Sequence, residues 1–552
     1  MKAEQATVQE ADLTGEPQLQ AVEIYDTTLR DGTQGLDFNL TSRDKLALAL
    51  KLDEFGVDFI EGGWPGSNPK DVEFFEMMKD QPLRQAQLTA FGSTCRKDTA
   101  PEDDPNLRAL LAADTEVIAM FGKSWTLHVT EALGTTLEEN LDMIERSVRF
   151  MTEQGRTVIY DAEHFFDGYR ADSEYALAAI AAAVRGGAHR IALCDTNGGT
   201  LPGRIAELVA QVRELHGNIV GVHLHNDCEL AVANSIAAVQ AGARHVQGTM
   251  NGYGERAGNA NLVSIMPLLS LKLGRPQKQD MAGLRALSRT IDERANLSPN
   301  VRAPFVGDAA FAHKGGVHVS AVNRLPETYE HIAPEVVGNE RRILLSDLSG
   351  RANVLAKDRT FADGAGVSSA DAAAVVERLK ELEHRGYSYE GAEASFQLLS
   401  RRVRGEHEPY FTLHGFTVIN EKPEAGSGAR SEASVRLEVG GRFEHTAALG
   451  NGPVNALDRA MRKALMRFYP SLGDIELSDY KVRVLSGQET GTSSIIRVLV
   501  ETTDGRESWG TVGASSNVIE ASYEALVDAA EYKLLKDGVR PLTPEPEAVA
   551  AD

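Results

Sequence analysis

Cysteine is scarce in this 552-residue chain: Cys95, Cys194 and Cys228 stand far apart, with no CxxC pair among them. That spacing excludes a disulfide framework and a thiolate zinc site and predicts three reduced thiols. No window approaches the roughly 20 uninterrupted apolar residues that a membrane span needs, so no passage through a membrane is expected. Positive charge is in deficit. There are 57 Lys and Arg against 80 Asp and Glu, a formal net charge of −23, and such a field repels nucleic-acid phosphates and anionic membranes. Neither is an expected partner. The same field repels small anionic substrates, so a site for a carboxylate or a phosphate has to carry local positive charge from a metal, arginines or helix N-termini. The opening segment MKAEQATVQEADLTGEPQLQ (1–20) lacks the apolar stretch of a secretory signal. It reads as a flexible extension, and a cytoplasmic location is expected.

What is present is a globular balance, 42% hydrophobic and 25% charged residues, in a chain long enough for a barrel of about 250 residues and one or two smaller domains. From about 22 to 250, eight apolar or β-branched runs occur: VEIYD, VDFIEGG, QLTAFGS, EVIAMFG, TVIYDAE, RIALCDT, IVGVHLH and HVQGTMN. Each precedes a stretch with helical periodicity, for example RDKLALALKLDEFG and EYALAAIAAAVRGG. Eight parallel βα units predict a closed (β/α)₈ TIM barrel over 21–285 rather than an open sheet. The alternation then stops, which predicts a helical connecting subdomain over 286–400. Strands, helix, strands and helix follow over 401–540, an internal duplication that predicts a C-terminal α+β domain. In both halves a glycine-bearing turn precedes an Asn and a helix (Gly450 and Asn455, Gly513 and Asn517), so these helix starts are either ligand-facing N-termini or simple caps. The Gly/Ser/Glu-rich piece at 421–433 reads as a hairpin or loop, and 541–552 as a disordered tail.

In such a barrel, functional groups gather at the C-terminal ends of the strands. The first strand ends in DTTLRDG, the second in EGGWPGSNP, the fifth in DAEHFFDG, the sixth in CDTNGG, the seventh in HLHND and the eighth in NGYGERAGNAN. His223 and His225, being i and i+2 on a strand, face the same way, and two imidazoles pointing together suit a metal. A carboxylate completes a 2-His-1-carboxylate face, and Asp31 on the first strand is one intervening strand away in a closed barrel. Asp31 read alone is also an ordinary turn residue before glycine. Arg30 beside it is placed to hold a substrate oxygen that becomes negative. Asn259 is either a further oxygen ligand or a turn former.

At these motifs the chain resembles the 2-isopropylmalate synthase, homocitrate synthase and citramalate synthase family, of the DRE-TIM metallolyase type. The DTTLRDGTQ, HLHND, NGYGERAGNAN and HKGGVHVSA segments carry the resemblance, which extends over roughly residues 20 to 540. It implies a divalent metal ion (magnesium, manganese or zinc) held by Asp31, His223 and His225, with Asn259 as a further ligand. It also implies that Arg30 orients a 2-oxo acid and Thr196 binds its carboxylate, and that Glu163 takes part in activating acetyl-CoA, the co-substrate. His318 and Tyr329 correspond to residues of the subdomain that covers the neighbouring barrel, so at least a homodimer is implied. The C-terminal duplication looks like the family's regulatory dimer domain. The implied reaction is an acyl transfer: a base removes a methyl proton from acetyl-CoA, the enolate attacks the ketone, and water cleaves the thioester. Glu163, His318 or a water between them are all reasonable bases.

The second-strand segment IEGGWPGSNPKD, with ETYEHI and ESWGTVGAS, looks like the citramalate-forming branch. That branch implies pyruvate as the oxo acid and isoleucine as product pathway and effector. Trp64 either narrows the pocket to fit a methyl group or packs the barrel mouth. Competing readings are a synthase acting on 2-oxoisovalerate, a hydroxymethylglutaryl-CoA lyase-like enzyme, for which the C-terminal duplication has no reason, and a non-catalytic sensor, against which the intact constellation argues.

Overall fold

A computed structural model describes residues 20–344, 353–355, 368–422, 428–485 and 494–543. The extension before residue 20, the tail after 543 and residues 423–427 of the Gly/Ser/Glu-rich piece lie outside the described residues. By its internal contacts the chain separates into two compact units, Met1–Phe311 with Pro334–Glu340 and Ala312–Ala333 with Arg341–Asp552.

In the first unit the eight apolar runs are eight strands: β1 (Glu23–Asp26), β2 (Phe59–Gly63), β3 (Gln87–Ser93), β4 (Val117–Lys123), β5 (Thr157–Glu163), β6 (Arg190–Asp195), β7 (Val220–Leu224) and β8 (His245–Gly248). They pair in sequence order, all parallel, and β1 closes on β8. The TIM barrel is therefore shown. Strand alternation sends every second side chain inward. Tyr25, Phe59, Phe91, Val117, Ala119 and Ile159 form a packed apolar cluster of this inner set.

The helices are held by local chemistry as well as by packing. The first, Ser42–Phe55, starts with a reciprocal cap between Thr41 and Asp44 and stops where Gly56 turns left-handed at φ 97°, a conformation glycine adopts without a Cβ penalty. Its inner face buries Leu48 and Leu52 completely, worth roughly 1.5–3 kcal/mol each. Two short π-helical turns, His128–Leu133 and Leu268–Lys272, interrupt the regular pattern. Among the described residues no helix is long and apolar enough to cross a membrane.

The second unit contains a two-residue parallel pair, β9 (Ala312–His313) with β10 (Arg342–Ile343), and the helices Gly316–Val322, Ser369–His384 and Glu393–Val403. Two three-stranded antiparallel sheets follow. One is β11 (Thr412–Glu421), β12 (Arg430–Val439) and β13 (Arg442–Gly450) before the helix Pro453–Leu465; the other is β14 (Glu476–Val484), β15 (Ile496–Thr503) and β16 (Ser508–Ser515) before the helix Val518–Lys536. The duplication extends to detail. Each first strand carries an irregularity near its start, at Leu413/Gly415 and at Leu477/Asp479. In each last strand a buried threonine bonds a helix carbonyl, Thr446 to Ala460 at 2.7 Å and Thr511 to Ala525 at 2.8 Å.

One of the two helix starts matches the expected cap and the other does not. Asn517 caps its helix by accepting from the Ile519 N–H, whereas Asn455 lies inside a helix that begins at Pro453 with Gly452 as its cap. Proline is pre-set for the first helical position, so it moves the start upstream of Asn455. Within the 421–433 piece, Glu421 ends β11 and Arg430–Ala433 already belong to β12, which pairs antiparallel with it.

Candidate active site

The site begins with a turn wound by buried hydroxyls. After β1, Asp26 accepts from the Thr28 N–H at 3.0 Å and from its hydroxyl at 2.8 Å, while Thr28 Oγ1 accepts from the Met250 N–H at 2.8 Å. Burial raises the Asp26 carboxyl to about 7, against the lowering effect of these bonds. Thr27 Oγ1 accepts from the Asp31 N–H at 3.2 Å. Arg30 and Asp31 are thereby fixed at the barrel mouth.

Asp31 meets the two histidines there. Their ligand atoms all lie within 4.8 Å of one another, and all three residues are buried. His223 Nε2 is 3.1 Å from Asp31 Oδ2 and 3.3 Å from His225 Nε2, with His225 Nε2 3.9 Å from the same carboxylate oxygen. Burial alone raises the Asp31 carboxyl, but Arg30, His223 and His225 outweigh it and hold it well below the usual carboxylate range. Burial, with His223 next to it, pushes His225 down to about 4, so its ring is neutral at pH 7. For His223 burial works downward and the Asp31 contact overcomes it, leaving a net rise.

Asn259 stands across a backbone bridge from His225. Its Nδ2 reaches the Tyr253 carbonyl at 3.3 Å, while its Oδ1 is buried with no hydrogen-bond partner among the described residues. A carboxylate, two imidazole nitrogens and an orphaned amide oxygen are a donor set suited to a divalent cation.

Arg30 forms one wall. Its Nε is bound to Glu61, its guanidinium carbon lies 3.7 Å from the Phe91 ring centroid, and Nη1 is 3.6 Å from Asp31. Glu61 is held in turn by the Tyr25 hydroxyl at 2.5 Å and the Thr27 hydroxyl at 2.9 Å. Burial disfavours the charge on Arg30, but Glu61 and Asp31 reverse this and keep the guanidinium ionised.

Trp64 forms another wall, edge-on to Phe91 and Phe121, with its indole N–H donating to Asn106 Oδ1 at 2.7 Å. Its backbone N–H donates to Asp71. That approach requires glycine at 63, where φ is 154° and a Cβ would stand 2.3 Å from the Asp71 carboxyl carbon. The cavity enclosed is about 220 Å³ and is also lined by Glu163, Cys194, Thr196 and Arg256.

Residues 21–291 match the HMGL-like family, 305–387 the homocitrate synthase post-HMGL domain-like family, and 390–534 the LeuA allosteric (dimerisation) domain. An (R)-citramalate synthase of Geobacter sulfurreducens is 53% identical, over 93% of this chain and 98% of that protein. Those of Aquifex aeolicus and Synechocystis sp. are 52% and 51% identical, over 94% and 93% of this chain and 98% and 96% of theirs. The chain belongs to the citramalate synthase and 2-isopropylmalate synthase family. Five relatives named (R)-citramalate synthase lie at 44–53% identity.

Of the other residues singled out for this family, Glu163 ends β5 and pairs with Lys123 on β4. Thr196 follows β6, and its Oγ1 accepts from the His164 N–H at 2.9 Å. His164 is left-handed at φ 56°. His318 and Tyr329 belong to the second unit, where both are exposed and their rings stack at 4.1 Å.

Sequence reasoning missed Glu61, Asp161 and Gln247, which are buried inside the barrel. Parity offered a signal. Glu61 shares its face with Phe59, and Gln247 with His245, so each is an inward polar group that needs a partner.

Proposed function

We propose that this chain is an (R)-citramalate synthase, which condenses acetyl-CoA with pyruvate and hydrolyses the thioester to citramalate and CoA, toward isoleucine, in the cytoplasm. The observation that carries this reading is near-full-length similarity to five proteins of that name. The Asp31, His223 and His225 group supports it. A divalent cation held by these three residues, with Asn259 Oδ1 as a further donor, supplies Lewis-acid polarisation of the 2-oxo acid.

The chain's own groups do the rest. Arg30 holds the ketone oxygen as it gains charge. Thr196 Oγ1 already accepts a backbone N–H, so its hydroxyl proton is left to donate to the substrate carboxylate. Glu163 at the cavity wall and His318 are the groups suited to take the methyl proton of acetyl-CoA.

His318 and Tyr329 act here from a second copy of the chain. Leu36, Leu127 and Leu201 stand exposed on the loops after β1, β4 and β6, and Val317, Leu325 and Tyr329 are exposed on the second unit. Apolar groups presented on both surfaces suit burial in a dimer.

The test is free-thiol release on incubation with acetyl-CoA, a divalent metal and a panel of 2-oxo acids. Pyruvate is expected to turn over best; preferred turnover of 2-oxoisovalerate reassigns the chain to isopropylmalate synthesis, and carbon–carbon cleavage without CoA release makes it a lyase. Trp64→Ala belongs in the same assay. Because hydrogen bonding and two aromatic edges hold the indole rigidly, its removal is expected to shift the efficiency ratio toward 2-oxoisovalerate by at least about tenfold, the scale of one or two methylenes in a pocket. An unchanged ratio removes the steric account.

Isoleucine is the proposed effector, supported by the match of 390–534 to an allosteric domain family. Inhibition by isoleucine is expected in the full chain and absent from a chain ending at residue 400. Inhibition that survives truncation moves the effector site elsewhere.

A further inference from the structure

We infer that Gln247 is a positioning residue that sets the tautomer of His223 and thereby the metal affinity of the site, an inference that rests on the metal reading above. His223 Nδ1 lies 2.8 Å from Gln247 Oε1, and Gln247 Nε2 lies 2.8 Å from Asp161 Oδ1. The side chain thus reaches from β8, where Gln247 is in register with His223 of β7, to Asp161 of β5 on another part of the barrel wall. All three residues are at least 94% buried, so no solvent competes for these bonds.

The amide orientation follows from the acceptors around it. Glu23 Oε2 is 3.2 Å from His245 Nδ1, which assigns that nitrogen as the donor and leaves His245 Nε2 an acceptor, 3.4 Å from Gln247 Nε2. Asp161 and His245 therefore both ask the amide for N–H groups. A flipped amide sets oxygen against oxygen at Asp161 and leaves His223 Nδ1 facing an NH₂ group. With NH₂ toward Asp161, Oε1 faces His223, so His223 keeps a proton on Nδ1 and Nε2 is the nitrogen left to a cation shared with Asp31 and His225. Glutamine suits this place because it donates to a carboxylate at one end and accepts from an imidazole at the other.

The relay is tested by titrating the metal-free full-length chain with Co²⁺, followed by its visible absorption and by competition with a chelator. The parent is expected to bind one Co²⁺ per chain. Gln247→Leu is expected to bind about 10- to 100-fold more weakly, the usual cost of losing an outer partner of a metal-bound histidine. Gln247→Glu keeps the shape but opposes two carboxylates and is expected to weaken binding about tenfold or more. Combining it with Asp161→Asn transposes amide and carboxylate, restores the donor–acceptor sequence between His223 and residue 161 but not toward His245, and is expected to recover at least about threefold of the lost affinity. A purely packing role predicts near-parental affinity for Gln247→Leu, which keeps the bulk but not the acceptor, and that result overturns the relay. So does a double variant that binds no better than Gln247→Glu alone, a comparison that stands even where Gln247→Leu does not fold. A parent that takes up no Co²⁺ overturns the metal reading and the relay with it.

Discussion

Replacing Asp31 by alanine is expected to lower kcat/KM for pyruvate by about 10³- to 10⁴-fold, equivalent to roughly 4–5.5 kcal/mol of transition-state stabilisation. The carboxylate is the one anionic member of a buried group whose other members are imidazoles. Without it, a divalent charge has to be carried by neutral donors and the affinity falls. Asp31→Asn separates charge from shape, because it keeps the volume and an oxygen while removing the negative charge. It is expected to lose nearly as much activity, together with bound metal measured by elemental analysis, while circular dichroism stays that of the parent. A variant that retains stoichiometric metal and more than about a tenth of the parental kcat/KM sinks the assignment of Asp31 as a ligand.

The pattern that places Asp31 beside the two histidines is visible in the sequence itself. Eight apolar runs followed by helical periodicity left few alternatives to a closed barrel, and a closed barrel brings the ends of β1 and β7 together across β8. His223 and His225 were legible because a strand's period of two admits only one mutual arrangement. The supporting shell was less legible for a physical reason. Glu61, Asp161 and Gln247 sit within the apolar strings FIEGG, TVIYDAE and HVQG, and periodicity reveals which side chains face inward but not which of them meet across the lumen. That depends on the stagger between strands, which brings Gln247 level with Tyr25 on one side and His223 on the other. Helix starts escaped similarly, since Pro453 competes with Asn455 for the same turn and backbone geometry decides between them.

Arg30 is where the supporting shell and the proposed chemistry meet, and Arg30→Lys is expected to reduce kcat by about 10²- to 10³-fold, or 2.7–4 kcal/mol, the scale of removing one preorganised donor from a developing oxyanion. The change keeps the charge, so a simple electrostatic role predicts little effect. Geometry argues otherwise. The guanidinium spends Nε on Glu61, holds its central carbon 3.7 Å from the Phe91 ring centroid and still lines the cavity. An ammonium has no planar face to stack and no fork to divide between two partners. Glu61→Gln is expected to cost about tenfold, because the amide still accepts one hydrogen bond but no longer balances the guanidinium charge. If Glu61 acts only through Arg30, the double variant Arg30→Lys with Glu61→Gln falls no further than Arg30→Lys alone. Steady-state kinetics of the four proteins decide the matter. Independent losses that multiply assign Glu61 a separate task, and an Arg30→Lys variant within tenfold of the parent removes the guanidinium from the chemical step.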